Sequence, residues 1–270
     1  MQVMDGRRST GFEKGLRMKI AMIGTGNIGG TLARKFAGAG HDVHLVNSRG
    51  PHMLEELAEQ IGAVAATPDS ALKGVDAVIF ALPYKAFLDL SDRFMAGAAA
   101  DTLIIDTGNY YPMRDGRIEG LDSGLSDSEW VARRLGRPVV KLFNSISVNS
   151  LKSKGRTAGE PGRVALPVSG DDPDAKRTAF RLADEAGFDA IDAGPLSQSW
   201  RQQPGTGAYT TDLDAHHLRL ALDRLDDGDR KQLPERRDSN LKMILALPDG
   251  PGSDQSVRAL RRQWDLPEDI

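Results

Sequence analysis

Three glycines fall in the run Gly24-Thr25-Gly26-Asn27-Ile28-Gly29. The run follows a short apolar segment, 19–23, and precedes a stretch in which Ile28, Leu32 and Phe36 recur every four residues. A strand that turns on glycine and leaves as an amphipathic helix is the arrangement that holds a diphosphate. Gly24 permits the turn, Gly26 lets phosphate oxygens approach the backbone, and Gly29 lets the helix pack on the strand. The first-turn N–H groups then face the anion, and the helix dipole adds roughly 0.3–1 kcal/mol. Without its flanks the run would be a plain turn. With them, a dinucleotide is the expected ligand.

The end of the second expected strand carries Asn47-Ser48-Arg49. A carboxylate there would bind the free ribose hydroxyls of NAD. Asn and Ser instead donate to a 2′-phosphate, and Arg49 can grip it with two parallel bonds. Each charge-assisted bond is worth about 1.5–3 kcal/mol, or one to two orders of magnitude in affinity. NADP(H) is therefore the expected cofactor. Leu82-Pro83 and Asn109 follow the next two buried strands, where the nicotinamide half should lie. Asn109 and Asn144 can serve as amide partners for the cofactor or acceptor, or as turn caps.

Short β-branched runs alternate with helical patterns from Met18 onward. Strands are expected at 19–23, 43–46, 63–66, 76–82, 103–106 and 139–143, with a helix carrying Ile28, Leu32 and Phe36 on one face and stopped by Gly38 and Gly40, and helices at 53–61 and 126–135. The run 76–82 is continuously apolar, as a parallel strand covered on both faces should be. Ser126 and Glu129 have the spacing of a capping box. The fold class is α/β, a Rossmann-type doubly wound, mostly parallel sheet. A further β-α-β unit at 164–192 extends it, after a loop at 151–163. A loop at 197–209 and a helix at 212–225 follow, then a broken tail with one or two short helices. The organisation expected is a flexible arm (1–17), an NADP-binding domain (18–150), an acceptor-side α/β extension (151–225) and a helical or irregular tail (226–270).

The chain has 270 residues, 27% of them charged, and a net charge of −3. That balance gives no basic footprint for nucleic acid and no polybasic membrane patch. With no cysteine, disulfides, thiolate metal sites and cysteine nucleophiles are excluded. No apolar run nears the ~20 residues of a membrane span, and the cytoplasm is the expected compartment. The five histidines (His41, His44, His52, His216, His217) fall in helix flanks or loops and read as surface residues, and no spacing suggests a metal site.

Taken together, these segments resemble the NADPH-dependent F-420 reductase family (F-420:NADP oxidoreductases). The likeness runs from Met18 to about Leu222. It rests on the glycine turn, Ser48-Arg49, Ala81-Leu82-Pro83, Gly170-Asp171-Asp172 with Ala175-Lys176, and Asp192-Ala193-Gly194-Pro195-Leu196-Ser197. Similar motifs occur in the cytosolic domain of membrane ferric reductases. The resemblance implies hydride transfer between NADPH and the deazaflavin coenzyme F-420, or a similar flavin, and is compatible with a homodimer. It places the pyrophosphate at Thr25, Gly26, Asn27 and Ile28, the 2′-phosphate at Ser48 and Arg49, and the nicotinamide wall at Leu82 and Pro83. The deazaflavin would lie against Asn144, Ser145 and Ile146. Archaeal members carry histidine near the position of Asn144, a departure that bears on the acceptor.

Hydride transfer between two such rings needs stacking and orientation more than a dedicated acid or base, so no catalytic residue is assigned. Trp200 and Arg201 could wall the acceptor pocket, or Trp200 could pack against the sheet edge. Three other functions stay open at this stage. One is an NADPH-dependent reductase of another small molecule or a metal chelate. Another is an alcohol or imine dehydrogenase, which would need a proton donor. The last is a non-catalytic NADP redox sensor.

Overall fold

In the computed structural model, which describes residues 17–122 and 124–268, residues of β1 (Lys19–Ile23) are buried alternately on two faces of a sheet. Ile20 and Met22 join one core, with Leu32, Phe36 and Leu45. Ala21 and Ile23 join the opposite one, with Phe80, Tyr84 and Val131. Both faces are dry, which is why the strands carry apolar residues without alternation. The chain continues through α1 (Asn27–Gly38), β2 (Asp42–Val46), α2 (Glu55–Ile61), β3 (Val64–Ala65), α3 (Pro68–Leu72), β4 (Ala77–Phe80) and β5 (Leu103–Asp106). Then come α4 (Pro112–Asp115), α5 (Asp127–Leu135), β6 (Val140–Lys141) and α6 (Val148–Ser153).

The six strands pair in the order β3-β2-β1-β4-β5-β6, and every pairing is parallel. The order reverses between β1 and β4, which opens a crevice at the strands' carboxyl ends. Register puts Val46, Ile23, Phe80, Asp106 and Lys141 side by side across the sheet. The turns after residues 23, 46, 80, 106 and 141 therefore emerge along one rim.

The expected β-α-β extension is present as β7 (Ala165–Val168), α7 (Pro173–Glu185) and β8 (Asp189–Asp192). Its two strands form a small parallel sheet of their own, joined to β6 by one antiparallel bridge between Lys141 and Ser169. Leu166, Val168, Leu182 and Phe188 share a core with Ile20 and Phe36, so no break in packing falls near residue 150. The capping box starts α5 as expected.

Other expectations are corrected. The loop expected at 151–163 begins inside α6, capped by Ser147. The helix expected at 53–61 opens as a 3-10 turn, Pro51–Leu54. A 3-10 segment, Leu196–Gln202, occupies part of the loop expected at 197–209. After α8 (Ala215–Asp223), the tail holds a 19-residue helix, α9 (Asp227–Leu245), and then α10 (Asp254–Gln263). Pro234 inside α9 removes one backbone donor, yet the helix continues through it. The arm expected at 1–17 lies outside the described residues, apart from an exposed Arg17. Among the described residues no helix is long and apolar enough to cross a membrane.

A candidate dinucleotide and acceptor cleft

The glycine turn is built by exclusion. Gly24 has φ +94°, and a Cβ there would lie 2.5 Å from the Ala81 carbonyl oxygen. A Cβ on Gly29 would lie 2.0 Å from the Gly24 carbonyl oxygen, so α1 can sit this close to β1 only with glycine. Gly26 is different. Nothing lies within 4 Å of where its Cβ would be. Gly26 is also the N-cap of α1, with no side-chain cap and no acidic residue in the first turn. The first-turn donors thus face open space with no competing carboxylate, which suits a diphosphate. Thr25 and Ile28 are half-buried and Asn27 is exposed at this opening.

At the end of β2, Asn47 Oδ1 accepts from the Arg49 backbone N–H at 2.9 Å. Its Nδ2 is buried without a hydrogen-bond partner. Ser48 and Arg49 are exposed, and Arg49 makes no ion pair among the described residues. An orphaned amide donor beside a free guanidinium is the donor set a phosphomonoester would satisfy, and the residues present fit a 2′-phosphate.

The rim turns enclose a cleft of about 570 Å³. Gly26, Asn27 and Ile28 line it, together with Leu82, Pro83 and the 107–109 turn. Asn144 and Ile146 follow, as expected. Ser145 is buried beside them, its carbonyl accepting from the Thr210 N–H at 2.8 Å. Asn109 and Asn144 are tied to each other. Asn144 Nδ2 donates to Asn109 Oδ1 at 3.0 Å and to the Gln202 carbonyl at 2.7 Å, and its Oδ1 accepts from Gln202 Nε2 at 2.8 Å. Asn109 Nδ2 donates to the Asn144 carbonyl at 2.9 Å. With all three of these groups engaged, Asn144 braces the cleft wall and has little left for a ligand.

Trp200 is corrected. It is 1% exposed, lines a small side pocket with Arg230 and Arg237, and does not reach the cleft. The Arg201 guanidinium lies 5.7 Å from its ring. Trp200 packs in the interior, so Trp200 and Arg201 do not wall an acceptor pocket. His41 is corrected too: it is buried, accepts from the Met18 N–H at Nδ1 (3.1 Å) and pairs with Glu185 through Nε2 (2.7 Å). His44 lies within β2 and is half-buried.

Much of the cleft escaped sequence reading. Tyr111, Arg114 and Tyr209 line it, as do Leu241 and Ile244 of α9 and Ser256 of α10. Phe143 and Thr210, also lining it, have φ of 63° and 54°, a strained left-handed backbone of the kind that collects at ligand sites. Against the 107–109 turn, Lys141 and Asp106 form a fully buried ion pair at 2.9 Å. Lys141 also donates to Tyr84 Oη and to the Gly108 carbonyl. Asp106 accepts from Tyr84 (2.7 Å), Ser128 (2.7 Å) and the Gly108 N–H (2.9 Å). With all three ammonium donors engaged, the pair fixes that turn. A lysine inside the apolar run 139–143 was the signal for it.

The sheet order, the open helix start and the rim cleft define a Rossmann-type dinucleotide-binding fold. Residues 19–110 match the family model "NADP oxidoreductase coenzyme F420-dependent", and the chain belongs to that NADP-dependent family. Among solved structures, it is similar to a hypothetical protein from Sinorhizobium meliloti. That protein is 30% identical, with a TM-score of 0.57, and the match covers 69% of this chain and 90% of that one. It is also similar to a candidate F420-dependent NADP-reductase from Arthrobacter sp. FB24: 26% identity, TM-score 0.54, 67% of this chain and 87% of that one. Metalloreductase STEAP3 of Rattus norvegicus is 26% identical over 184 residues, 67% of this chain and 35% of that protein. Protein YjhV of Escherichia coli (strain K12) is 38% identical over 77 residues, 28% of this chain and 56% of that protein, so the chain spans about half or less of the length of these two curated relatives.

Proposed function

We propose that the chain transfers hydride between NADP(H) and a flavin- or deazaflavin-type acceptor such as coenzyme F-420. The observation that carries this reading is one cleft lined both by the open start of α1 and by the aromatic and polar residues Tyr111 and Tyr209. One ligand's phosphates would sit at Gly26, and a second ring would have its own walls beyond the strand ends. When bound, the nicotinamide supplies the hydride.

The protein's part is to bind, orient and keep water out. The α1 N-terminus would hold the diphosphate, and Asn47, Ser48 and Arg49 the 2′-phosphate. Leu82 and Pro83 offer an apolar wall, and the Asn109–Asn144–Gln202 hydrogen bonds hold Asn109 and Asn144 of the lining in place. Leu241 and Ile244 close the cleft from α9, which lowers the local dielectric around the reacting rings. The Arthrobacter relative's name supports the deazaflavin, and the STEAP3 name supports testing a ferric chelate beside it.

The test is a turnover screen of purified protein with NADPH against F-420, FMN, FAD and a ferric chelate, following loss of NADPH absorbance. Oxidation of NADPH by F-420 or a flavin is expected. Tight NADPH binding with no oxidation by any acceptor would sink the proposal in favour of a sensor.

A further inference from the structure

Tyr111 and Tyr209 are far apart in sequence, yet their hydroxyl oxygens lie 2.8 Å apart in the cleft. Tyr111 comes from the connection after β5, Tyr209 from the loop between β8 and α8. Two phenols carry two O–H donors, and their mutual bond uses one. Neither hydroxyl has another partner among the described residues, so one donor is left over.

Beside them, the Arg114 guanidinium lies 5.4 Å from the Tyr111 ring. Arg114 Nε and Nη2 are held by Asp115 at 3.0 and 2.8 Å, and Nη2 also donates to the Asn109 carbonyl at 2.6 Å. Its Nη1 has no partner among the described residues. The cleft lining therefore offers a phenolic donor, a cationic donor and an aromatic face close together.

We propose that this cluster is the acceptor's recognition site, taking a planar ring with a carbonyl-rich or anionic edge: the spare tyrosine hydroxyl and Arg114 Nη1 donate to that edge. The proposal rests on the acceptor reading above and names the residues that recognise it. Burial raises the pKa of both phenols above the ordinary tyrosine range, that of Tyr111 well above it, so both stay donors at neutral pH. Because either hydroxyl can supply the spare donor, the two tyrosines back each other up. Removing one leaves a donor; removing both leaves none.

The test compares full-length wild type, Tyr111→Phe, Tyr209→Phe and the double variant, which keep the rings and lose only oxygen. FMN and F-420 are the probes, titrated by fluorescence. NADPH affinity and the thermal midpoint are measured in parallel. In the double variant the probe's Kd should rise about tenfold, as loss of one net hydrogen bond of about 1–1.5 kcal/mol implies. Each single variant should lose less than threefold, while NADPH affinity and the midpoint hold. An unchanged probe Kd in the double variant overturns the cluster's role. Equal weakening of probe and NADPH with a lowered midpoint also overturns it, since the pair would then be a staple between two loops. Wild type that binds NADPH but neither probe overturns the acceptor reading itself, and this inference with it.

Discussion

At the residue scale, the choice between phosphorylated and unphosphorylated dinucleotide rests on three side chains after β2. Asn47 has a buried Nδ2 without a partner, and Arg49 stands exposed without an ion pair among the described residues. Leaving a buried donor unpaired costs about 1–3 kcal/mol, and a phosphate oxygen would recover it. Arg49→Ala should raise the Kd for NADPH about tenfold to a hundredfold, from the loss of about 1.5–3 kcal/mol of charge-assisted bonding. The Kd for NADH should change less than about threefold, since NADH offers no 2′-phosphate for the guanidinium to grip. Equal losses for both nucleotides in paired titrations would remove Arg49 from the 2′-phosphate site. Asn144 shows the opposite case. It stands where an acceptor contact was expected, yet its amide is consumed by Asn109 and Gln202. Sequence placed it beside the cleft and could not show how its hydrogen bonds were spent.

At the scale of elements, two glycines a few residues apart are required for different reasons, and alanine separates them. A methyl at Gly29 would meet the Gly24 carbonyl oxygen at 2.0 Å and push α1 off β1. A methyl at Gly26 would meet nothing within 4 Å of the protein and would project into the space where a diphosphate is expected. Gly29→Ala should therefore lower the thermal midpoint and weaken NADPH together. Gly26→Ala should leave the midpoint within about 2 °C, as expected of a change outside the packed core, and still weaken NADPH at least tenfold. A normal NADPH Kd for Gly26→Ala would mean that phosphate does not approach this turn. The turn was legible in sequence because its signal is local: strand, glycines, helix period. So were α5, through Ser126 and Glu129, and the buried strands, through continuous apolar runs. The α9 wall was not legible. Its residues between 227 and 245 include Gly228 and Pro234 and present no apolar stripe, because the helix touches the cleft with little more than Leu241 and Ile244. The tyrosine pair was hidden for another reason: a contact between positions 111 and 209 leaves no trace in local spacing.

At the scale of the whole molecule, one carboxylate joins the sheet to the C-terminal helices. Asp127, first residue of α5, is buried and accepts from the Tyr110 N–H at 3.0 Å. It feels Lys141 of β6 and Arg237 of α9 as well as Asp106. Burial outweighs the two cations, and its pKa is pushed up from 3.8 to about 6. A carboxyl whose pKa rises on folding binds its proton more tightly in the native state. Its contribution to stability is therefore complete below about pH 4 and is lost as pH climbs to about 6, beyond which the native state carries a buried charge at full cost. Asp127→Asn keeps an acceptor for the Tyr110 N–H and removes that cost. At about 1.36 kcal/mol per pKa unit, the variant should be more stable than wild type by about 2–3 kcal/mol at pH 7–8. The gain should shrink through pH 6 to 4 and vanish below it. Thermal or urea unfolding of both proteins across that range checks this, and a difference that stays constant with pH would show that Asp127 is ionised at little cost. The carboxylates with lowered pKa, Asp192, Asp214, Asp229 and Asp254, act in the opposite sense. Each stabilises the fold above its ordinary range and loses that contribution on acidification. They are common to wild type and variant, so the difference between the two curves isolates Asp127, the residue where α5, the 107–110 turn and α9 meet.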